Sequence, residues 1–575
     1  MTLFGSTRLL FLLLIITFVL LLLTSTWVVK AHSNIKNNNF IIHQEQKSSS
    51  SLPLLLRESK SNIQLFPIPS INDRKVVVDK DDKNDDRNEA QNILLSEYYL
   101  QQKQLLKIHE QRRRLRNFKK INNFYGSEDF QIRHIHLALT QQPNEMVVQF
   151  HTFAYHSSLG KPLVKIGKTK DLSSNFTVFH VGAVMTGYGD TNHTGFDYSI
   201  LMSPLEFDTT YHYQVGLGFV NSLSGEVTFM VKSEHVYNFT TRSSDPDEIS
   251  VLMFADMGVV FSPMNVKRIQ NRVRQEAMNG NFFIYHIGDI SYADFYPGIM
   301  YQFIWNLWFE YFEGIHPYVP YMVSVGNHEY EPRHPDNQDY EKNFAAYNHK
   351  FWMPLRNNSQ YGHNMWYHFD MGPVRFVSID TETNYPNAHD SPFPPVFNGD
   401  QFSYVTNAIK STNRSQTPFL MVLGHRPIYS AVKGFSEANG NVISQSKTLQ
   451  NLWERVFYEG HVDLYTCGHV HAYERQYPLY NQTVETKSNP NNLTNPRDTV
   501  HLIVGTGGCV EGLELNEWYN KNIYWNYKIF NDDEGYGILR VKRDKINKRQ
   551  VTVTWEFYST THDELVDSFV MTKLY

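Results

Sequence analysis

Five short motifs, each with polar residues beside a glycine at the end of an apolar segment, constrain this chain more than any other feature. In chain order they are Phe254-Ala-Asp256-Met-Gly258, Gly288-Asp289-Ile-Ser-Tyr292, Gly326-Asn327-His328-Glu329, Gly424-His425-Arg-Pro427 and Gly468-His469-Val-His471. Together they supply two aspartate carboxylates, one amide oxygen, one phenol and four imidazoles. This donor set exceeds the need of one metal ion and suits two. Paired cations favour in-line displacement at phosphorus, because they hold the attacking and leaving oxygens together.

The apolar segments before these motifs have the pattern of buried strands that alternate with helices. Their apolar character is continuous, which is typical of strands covered on both faces. The predicted strands are Ile249–Ala255, Phe282–Ile287, Tyr318–Val325, Val374–Ile379, Phe419–Leu423 and Val462–Thr466. In such folds ligands bind beyond the carboxyl ends of the strands. Five of the six strands end in a motif; the other ends in Asp380 and Glu382, to which the sequence assigns no role.

The residue types suggest how two ions would be held. Asp256 directly follows its strand, and Asp289 has two carboxylate oxygens with which it can bridge two cations. Asn327 offers a neutral carbonyl oxygen, which limits the ligand charge and keeps the ions electrophilic. Imidazole nitrogens, which suit Fe, Zn and Mn, come from His425, His469 and His471.

Tyr292 has two interpretations. It lies three residues after Asp289, close enough to share a site. A phenol with a pKa near ~10 binds as phenolate only to a strongly acidic ion, and Fe(III) is the obvious candidate. The chain also has 35 tyrosines, so a tyrosine taken at random is expected to be a packing residue. The chemistry of the residue leaves metal ligation and packing equally open.

Upstream of these motifs, residues 130–245 have the pattern of a β-sandwich. Short alternating strands, among them Ile135–Leu139, Met146–Phe150 and Tyr211–Val215, are separated by Gly, Asn and Ser. The segment Pro204–Tyr213 resembles the corner of fibronectin type III sandwiches. We find no catalytic cluster here and predict a structural domain. Residues 246–575 are predicted to form an α/β domain, with central β-sheets flanked by helices and including the C-terminal strands.

The N-terminus indicates the compartment. Residues 1–31 have the charge, the apolar run Leu9–Leu23 and the small residues of a signal peptide, and an uncleaved anchor is the alternative. Cleavage predicts a protein that is secreted or in the endomembrane or vacuolar lumen, without a stable membrane span. Residues 32–129 are polar and of low complexity, which predicts disorder. A formal net charge of -5 gives no electrostatic case for nucleic acid.

Export agrees with the glycosylation signals and the cysteine count. We expect N-linked glycans at some of the acceptor asparagines, which are Asn175, Asn192, Asn238, Asn357, Asn413, Asn481 and Asn492. The two cysteines, Cys467 and Cys509, are compatible with one disulfide or with two buried thiols. A protein with so few cysteines relies on its core and not on a disulfide framework.

The five motifs, extended by Ala-Tyr-Glu-Arg475 after His471, resemble the five blocks of the purple acid phosphatases, a family of the binuclear metallophosphoesterase superfamily. The resemblance covers about Phe130 to Tyr575, including the sandwich and the closing strands. It implies that Fe(III) is held by Asp256, Tyr292 and His471. It implies that a divalent ion (Zn, Mn or Fe) is held by Asn327, His425 and His469, with Asp289 bridging. His328 would be a catalytic residue that is not a ligand, and positions substrate or protonates the leaving alkoxide.

The resemblance implies an acid phosphatase that hydrolyses phosphate monoesters with a metal-bound hydroxide as nucleophile. One alternative uses the same site on small-molecule diesters or nucleotide pyrophosphates, and another is a redox role. A non-catalytic secreted glycoprotein braced by metal is a third. The chain departs from the family where many members place further histidines that contact phosphate, because Gly434 and Phe435 stand there. Leaving-group protonation would then depend mainly on His328.

Overall fold

The computed structural model describes residues 128–575, apart from 174, 181–183, 187–194, 222, 260–261, 278–279, 297–300, 331–343, 356–362 and 389–398. The predicted signal peptide and almost all of the predicted disordered segment lie outside the described residues. In the part of the chain that the structure describes, no helix combines the length and apolar character needed to cross a membrane.

Nine strands form two facing sheets at the start of the described chain. They are β1 (Arg133–Ala138), β2 (Met146–Thr152), β3 (Lys161–Gly167), β4 (Phe176–Phe179), β5 (Val184–Thr186), β6 (Phe196–Met202), β7 (Thr210–Val220), β8 (Val227–Lys232) and β9 (Tyr237–Thr240). One sheet has the order β1-β2-β6-β5, and the other has the order β4-β3-β7-β8, with β9 also paired to β7. This confirms the predicted β-sandwich.

The predicted corner is present at the start of β7. The Tyr211 hydroxyl accepts a hydrogen bond from the Glu206 N–H at 3.1 Å, which closes the segment back on itself. Val148, Val164 and Val215 are completely buried between the sheets. One face of each sheet therefore packs on the other, and in β2 the residues of the second face are buried as well.

Sixteen further strands follow among the described residues. They are β10 (Glu248–Phe254), β11 (Phe282–Ile287), β12 (Tyr321–Ser324), β13 (Tyr367–Met371), β14 (Val374–Ser378), β15 (Phe419–Leu423), β16 (Leu464–Cys467), β17 (Tyr473–Gln476), β18 (Leu479–Tyr480), β19 (Thr483–Val484), β20 (Asn492–Thr494), β21 (Val500–Val504), β22 (Asn526–Phe530), β23 (Gly535–Arg543), β24 (Gln550–Ser559) and β25 (Leu565–Leu574).

Six α-helices accompany these strands in the described ranges. They are α1 (Pro263–Glu276), α2 (Tyr301–Phe312), α3 (Ala345–Lys350), α4 (Gln401–Lys410), α5 (Ser444–Leu449) and α6 (Arg455–Glu459). A π-helical turn, Gln450–Glu454, joins α5 to α6. The fold class predicted from the sequence, a β-sandwich followed by an α/β domain, is confirmed.

Most of these strands lie in two seven-stranded sheets that bring the motif-bearing ends together. The first has the order β12-β11-β10-β23-β24-β25-β20, and the second β13-β14-β15-β16-β21-β17-β22. β10, β11 and β12 are mutually parallel, as are β14, β15, β16 and β21. The Ala255 N–H donates to the Val504 carbonyl at 3.0 Å, so the two sheets meet just beyond the carboxyl ends of β10 and β21.

Burial explains the continuous apolar runs. Every residue of β11 and of β15 is buried, as expected for parallel strands covered on both faces. Four of the six predicted strands differ in their bounds from the structure. The largest difference is in the strand expected from Tyr318, which begins at Tyr321. The residues before it form turns, in which the Tyr318 N–H donates to the Ile315 carbonyl at 2.9 Å.

Candidate metal centre

Four of the predicted site residues have a left-handed backbone at or near the end of a strand. The φ angles are 59° at Asp256, 54° at Asp289, 54° at Tyr292 and 68° at His469. Such conformations cost L-residues about 1–3 kcal/mol each and persist only where the surroundings enforce them. Beyond β10 and β11 the Asp256 N–H still donates to the Gly288 carbonyl, at 3.3 Å. The backbone at these four positions therefore turns away from the sheet, and their side chains face the same region beyond the strand ends.

The glycines of the motifs make room for the carboxylates. A Cβ atom at Gly326 would lie 2.3 Å from Asp289 Oδ1, and one at Gly468 would lie 2.4 Å from Asp256 Oδ2. Both distances are far below van der Waals contact. Any side chain at these positions would displace a predicted ligand, which is why glycine recurs in the motifs.

One half of the centre gathers around the Tyr292 hydroxyl. The Tyr292 oxygen lies 3.2 Å from Asp256 Oδ1, 3.5 Å from Asp289 Oδ2 and 3.1 Å from His471 Nε2. Burial, and then the neighbouring Cys509 and Asp256, raise the pKa of Tyr292 well above its ordinary value. The phenol would therefore ionise here only beside a strong positive charge.

The other half gathers around Asp289. His425 Nε2 lies 2.9 Å from Asp289 Oδ2, and His425 Nδ1 lies 3.0 Å from the Ile287 carbonyl. The ligand atoms of Asp289, His425 and His469 all lie within 4.8 Å of one another. Burial alone would raise the pKa of Asp289, but the positive charges of His425 and His328 hold it well below its usual range.

Asn327 provides the test of whether a cation fits this half. Its Oδ1 atom is buried and accepts no hydrogen bond from the described residues. The next residue, His328, donates its backbone N–H to Asp289 Oδ1 at 2.8 Å, so Asn327 is in the turn beside Asp289. A buried acceptor without a partner costs about 1–3 kcal/mol. Carboxylate, amide, imidazole and phenol donors match Fe, Zn or Mn, so these residues fit a pair of such ions.

His328 is placed differently from the predicted ligands. Its ring stacks on Tyr292 with the centroids 4.0 Å apart, and its Nδ1 lies 2.9 Å from Asp294 Oδ2. Its Nε2 lies 3.9 Å from Asp289 Oδ2 and 3.6 Å from Glu511 Oε2. Burial lowers the pKa of His328, but Asp289, Asp294 and Glu511 outweigh it and raise the pKa well above the ordinary value. These three carboxylates therefore favour the protonated form of the His328 imidazole.

Two carboxylates that support the centre were not found from the sequence. Asp294 lies on the turn after Tyr292 and fixes the His328 ring. Glu329, although it belongs to a motif, received no role; its carboxylate accepts the N–H groups of Asp289, Ile290 and Gly326 at 2.9, 2.8 and 2.7 Å. In the sequence, the one indication of this role is that Asp294 follows Tyr292 by two residues.

The unassigned end of β14 also reaches the centre. Glu382 Oε2 lies 2.6 Å from Arg426 Nε, and Arg426 Nη1 lies 3.0 Å from His469 Nε2. Asp380 instead accepts the N–H groups of Glu382 and Thr383, at 2.7 and 3.0 Å, and so shapes the turn. Glu382 therefore orients a guanidinium at the edge of the centre, and Asp380 has a local structural role.

The two residues that replace the family's histidines differ in their surroundings. Phe435 is half-buried, and its ring meets that of His469 edge to face at 5.8 Å between centroids. Gly434 is exposed, and a Cβ added there would have no atom within 4 Å. The centre thus has an aromatic wall at this side and free space next to it.

Of the alternatives left open for the cysteines, the structure has two buried free thiols. Cys467 Sγ is directed at the Leu502 carbonyl, 3.3 Å away. Cys509 Sγ lies 3.4 Å from His471 Nδ1 and 3.6 Å from His471 Nε2. The second thiol therefore contacts a predicted metal ligand.

Comparison with known families accounts for most of the described chain. Residues 132–241 match the model described as purple acid phosphatase, N-terminal domain. Residues 249–473 match that of the calcineurin-like phosphoesterases, and residues 498–568 match the iron/zinc purple acid phosphatase-like protein C. The three matches follow one another in the order of the sandwich, the motif-bearing strands and the closing strands.

Individual relatives agree with these matches. A probable inactive purple acid phosphatase 9 of Arabidopsis thaliana is 30% identical over 419 residues, which are 65% of this chain and 57% of that protein. An acid phosphatase of Aspergillus ficuum is 24% identical over 507 residues, covering 67% of this chain and 76% of its own. The solved purple acid phosphatase from yellow lupin (Lupinus luteus) seeds shares the fold, with a TM-score of 0.60 at 22% identity over 77% of this chain and 75% of its own. The chain belongs to the purple acid phosphatase family.

Proposed function

We propose that this chain is an acid phosphatase that hydrolyses small-molecule phosphate monoesters at a centre of two metal ions. One observation carries the proposal: the ligand atoms of the motifs lie together in one buried region, with the His328 ring beside them. The Tyr292 oxygen lies 3.1 to 3.5 Å from atoms of Asp256, Asp289 and His471. His471 Nε2 lies 3.6 Å from Asp256 Oδ1, and His425 Nε2 lies 2.9 Å from Asp289 Oδ2. Some relatives are named probable inactive, and the complete donor set supports activity in this chain.

The residues divide between the two ions. Asp256, Tyr292 and His471 would hold Fe(III), because a phenol in this buried position ionises only next to a strongly acidic cation. Asn327, His425 and His469 would hold Zn, Mn or Fe in the divalent state, and Asp289 would bridge the two ions. When bound, such ions lower the pKa of water to about 7 or below and neutralise the phosphoryl oxygens.

The leaving group would be protonated by His328. Asp294 accepts from Nδ1 at 2.9 Å, which fixes the ring and leaves the Nε2 proton facing the centre. As the bond from phosphorus to the ester oxygen breaks, that oxygen takes the Nε2 proton and departs as an alcohol. General acid catalysis of this kind contributes about 10²–10⁴-fold in rate. The proposed mechanism needs no serine or cysteine nucleophile, so no phosphorylated side chain is expected.

Metal analysis and visible spectroscopy test the metal assignment. The purified protein should contain two ions per chain and have a broad visible band that Tyr292→Phe removes and the control Tyr318→Phe keeps. Tyr318 is an exposed tyrosine outside the centre. Asp289→Ala should lose both ions and the activity. Full metal content in Asp289→Ala would show that Asp289 does not bridge.

The ratio of rates on an aryl phosphate monoester and an aryl phosphate diester tests the substrate class. The proposed function requires the monoester to be the better substrate. A diester preference would support the alternative of a phosphodiesterase or nucleotide pyrophosphatase that uses the same site.

We also propose that residues 130–245 are a structural domain that supports residues 246–575. The Tyr213 hydroxyl donates to the Pro317 carbonyl at 2.7 Å, and His136 Nε2 lies 2.9 Å from the Lys350 carbonyl. Pro317 lies shortly before β12, and Lys350 is the last residue of α3. The sandwich is thereby fixed beside β12 and α3 without contributing to the centre.

Secretion through a signal peptide with N-linked glycosylation completes the proposal. All acceptor asparagines that the structure describes are exposed, namely Asn175, Asn238, Asn413, Asn481 and Asn492. Asn192 and Asn357 lie outside the described residues. A mobility shift on treatment with an N-glycosidase would support glycosylation, and an unchanged mobility would refute it.

A further inference from the structure

Four histidines lie buried where the β-sandwich packs on the α/β part. They are His134 and His136 on β1, His151 on β2 and His316 in the turn before β12. Each of the four is at most 5% exposed. These four residues, together with Phe309 of α2 and Lys350 of α3, which pack on them, are the histidine seam.

The local backbone brings His134 into the seam. Its φ angle is 53°, and the pairing of β1 with β2 shifts in register between Arg133 and His136. An irregularity of this kind bends a strand and changes the direction of a side chain. The His134 ring stacks on the ring of His151, at 5.1 Å between centroids, and on that of Phe309, at 5.3 Å. The sandwich therefore meets α2 through an imidazole.

The surroundings of two of these rings suit the neutral imidazole. Among the described residues, neither ring nitrogen of His134 or of His316 has a hydrogen-bond partner. The His316 ring instead packs on aromatic rings, with centroids 4.9 Å from Phe312 and 4.4 Å from Tyr321. An imidazolium here would bury a charge and two N–H donors without acceptors, which is strongly unfavourable.

The charged groups around His134 oppose its protonation on balance. Asp197 is already shared, because its Oδ1 lies 2.8 Å from His151 Nδ1 and its Oδ2 lies 3.8 Å from Lys350 Nζ. Burial lowers the pKa of His134 well below its ordinary value, and His151, Lys350 and Arg133 lower it further. Asp197 alone among these groups acts in the opposite direction.

His136 and His316 face each other across the seam, with ring centroids 6.0 Å apart. Burial lowers the pKa of both residues. The other imidazoles His136 and His286 lower that of His316 further, whereas backbone carbonyls and Asp197 partly offset the effect at His136. Because like charges repel, a proton on one ring disfavours a proton on the other.

We propose that the histidine seam is an acid-sensitive contact, at which the sandwich packs on α2 and α3 while the imidazoles are neutral and loosens when they are protonated. The inference goes beyond the proposed function, because it concerns the packing of the two parts and not the reaction. An exposed imidazole titrates near pH ~6.5. The stabilisation by the seam is therefore complete above about that pH and is lost as the pH falls. Loosening would limit the working range of the protein on the acid side.

A pH titration of the purified wild type from pH 7 to pH 4 tests the loosening. Trp305 and Trp308 of α2 are completely buried, and the Trp308 ring lies 5.3 Å from that of His316. Tryptophan emission should shift to the red below pH 6.5, without loss of the far-ultraviolet circular dichroism, and should recover at pH 7. The absence of a shift by pH 4 would overturn the proposal. Loss of both signals at one midpoint would also overturn it, because that is global unfolding.

Phenylalanine variants assign the transition to the seam. Each histidine that is neutral when buried and titrates normally when exposed raises the equilibrium constant for loosening about 25-fold between pH 7 and pH 5. The double variant with His134→Phe and His316→Phe should move the midpoint to lower pH by about half a unit or more, and His316→Phe alone by less. The control His562→Phe changes an exposed histidine and should leave the midpoint in place. A wild-type midpoint in both His316→Phe and the double variant would overturn the proposal.

Discussion

Replacement of Glu329 by glutamine should weaken both the fold and the metal centre. The buried Glu329 carboxylate accepts N–H groups from both Asp289 and Gly326 through Oε2, and from Ile290 through Oε1. Glu329 therefore connects the turn that carries Asp289 to the turn that carries Asn327. No sequence motif indicated this role, although the residue follows His328 directly.

The magnitude follows from the number of acceptors lost. If the glutamine oxygen occupies the Oε2 position, it keeps the bonds from Asp289 and Gly326. Its amide NH₂ then faces the Ile290 N–H, and a buried donor without an acceptor costs about 1–3 kcal/mol. The opposite orientation would lose two bonds, so this range is the lower limit. Changes outside the ligand shell of a metal site typically reduce metal affinity by about 10–100-fold.

Urea unfolding, with and without chelator, measures both effects. Glu329→Gln should lower the free energy of unfolding of the chelated protein by about 1–3 kcal/mol. Metal should stabilise the variant less than wild type, because weaker binding to the folded state contributes less. The control Glu564→Gln, which changes an exposed carboxylate, should alter neither quantity. Wild-type stability together with wild-type metal affinity in Glu329→Gln would refute this account.

Three further predictions concern catalysis and pH. Asp294→Asn should lower the rate on alkyl monoesters by about 10²-fold or more. It should also move the alkaline limb of the pH–rate profile to lower pH, because loss of the Asp294 carboxylate lowers the pKa of His328. Gly434→His, built into open space, should lower KM for an aryl monoester and strengthen inhibition by phosphate, whereas an unchanged KM would mean that this position does not face substrate. Burial lowers the pKa of His501 from 6.5 to about 3, so its contribution to stability is complete above pH 6.5 and is lost as the pH falls toward 3. His501→Leu should therefore reduce the loss of stability between pH 7 and pH 5 by about 2 kcal/mol, measured by urea unfolding at both values.

The architecture and the motif positions followed from local sequence patterns. Continuous apolar runs such as Phe282–Ile287 and Phe419–Leu423 predicted buried parallel strands, and both are strands with those bounds. Alternation of apolar and polar residues predicted the sandwich, because the pattern along a strand indicates which of its faces are covered. The glycine before Asp289, Gly288, lies where the structure leaves no room for a side chain, because a Cβ atom there would lie 2.7 Å from His425 Nδ1.

The sequence by itself therefore determined the strands, their polar ends and the set of donors, because each of these is written in neighbouring residues. Only the tertiary structure decided which distant side chains support that set. Glu382 reaches Arg426 because β14 and β15 are neighbours in one sheet, and Cys509 reaches His471 because the loop after β21 folds back on the centre. Contacts of this kind depend on the packing of two sheets, and no local pattern of residue types specifies them.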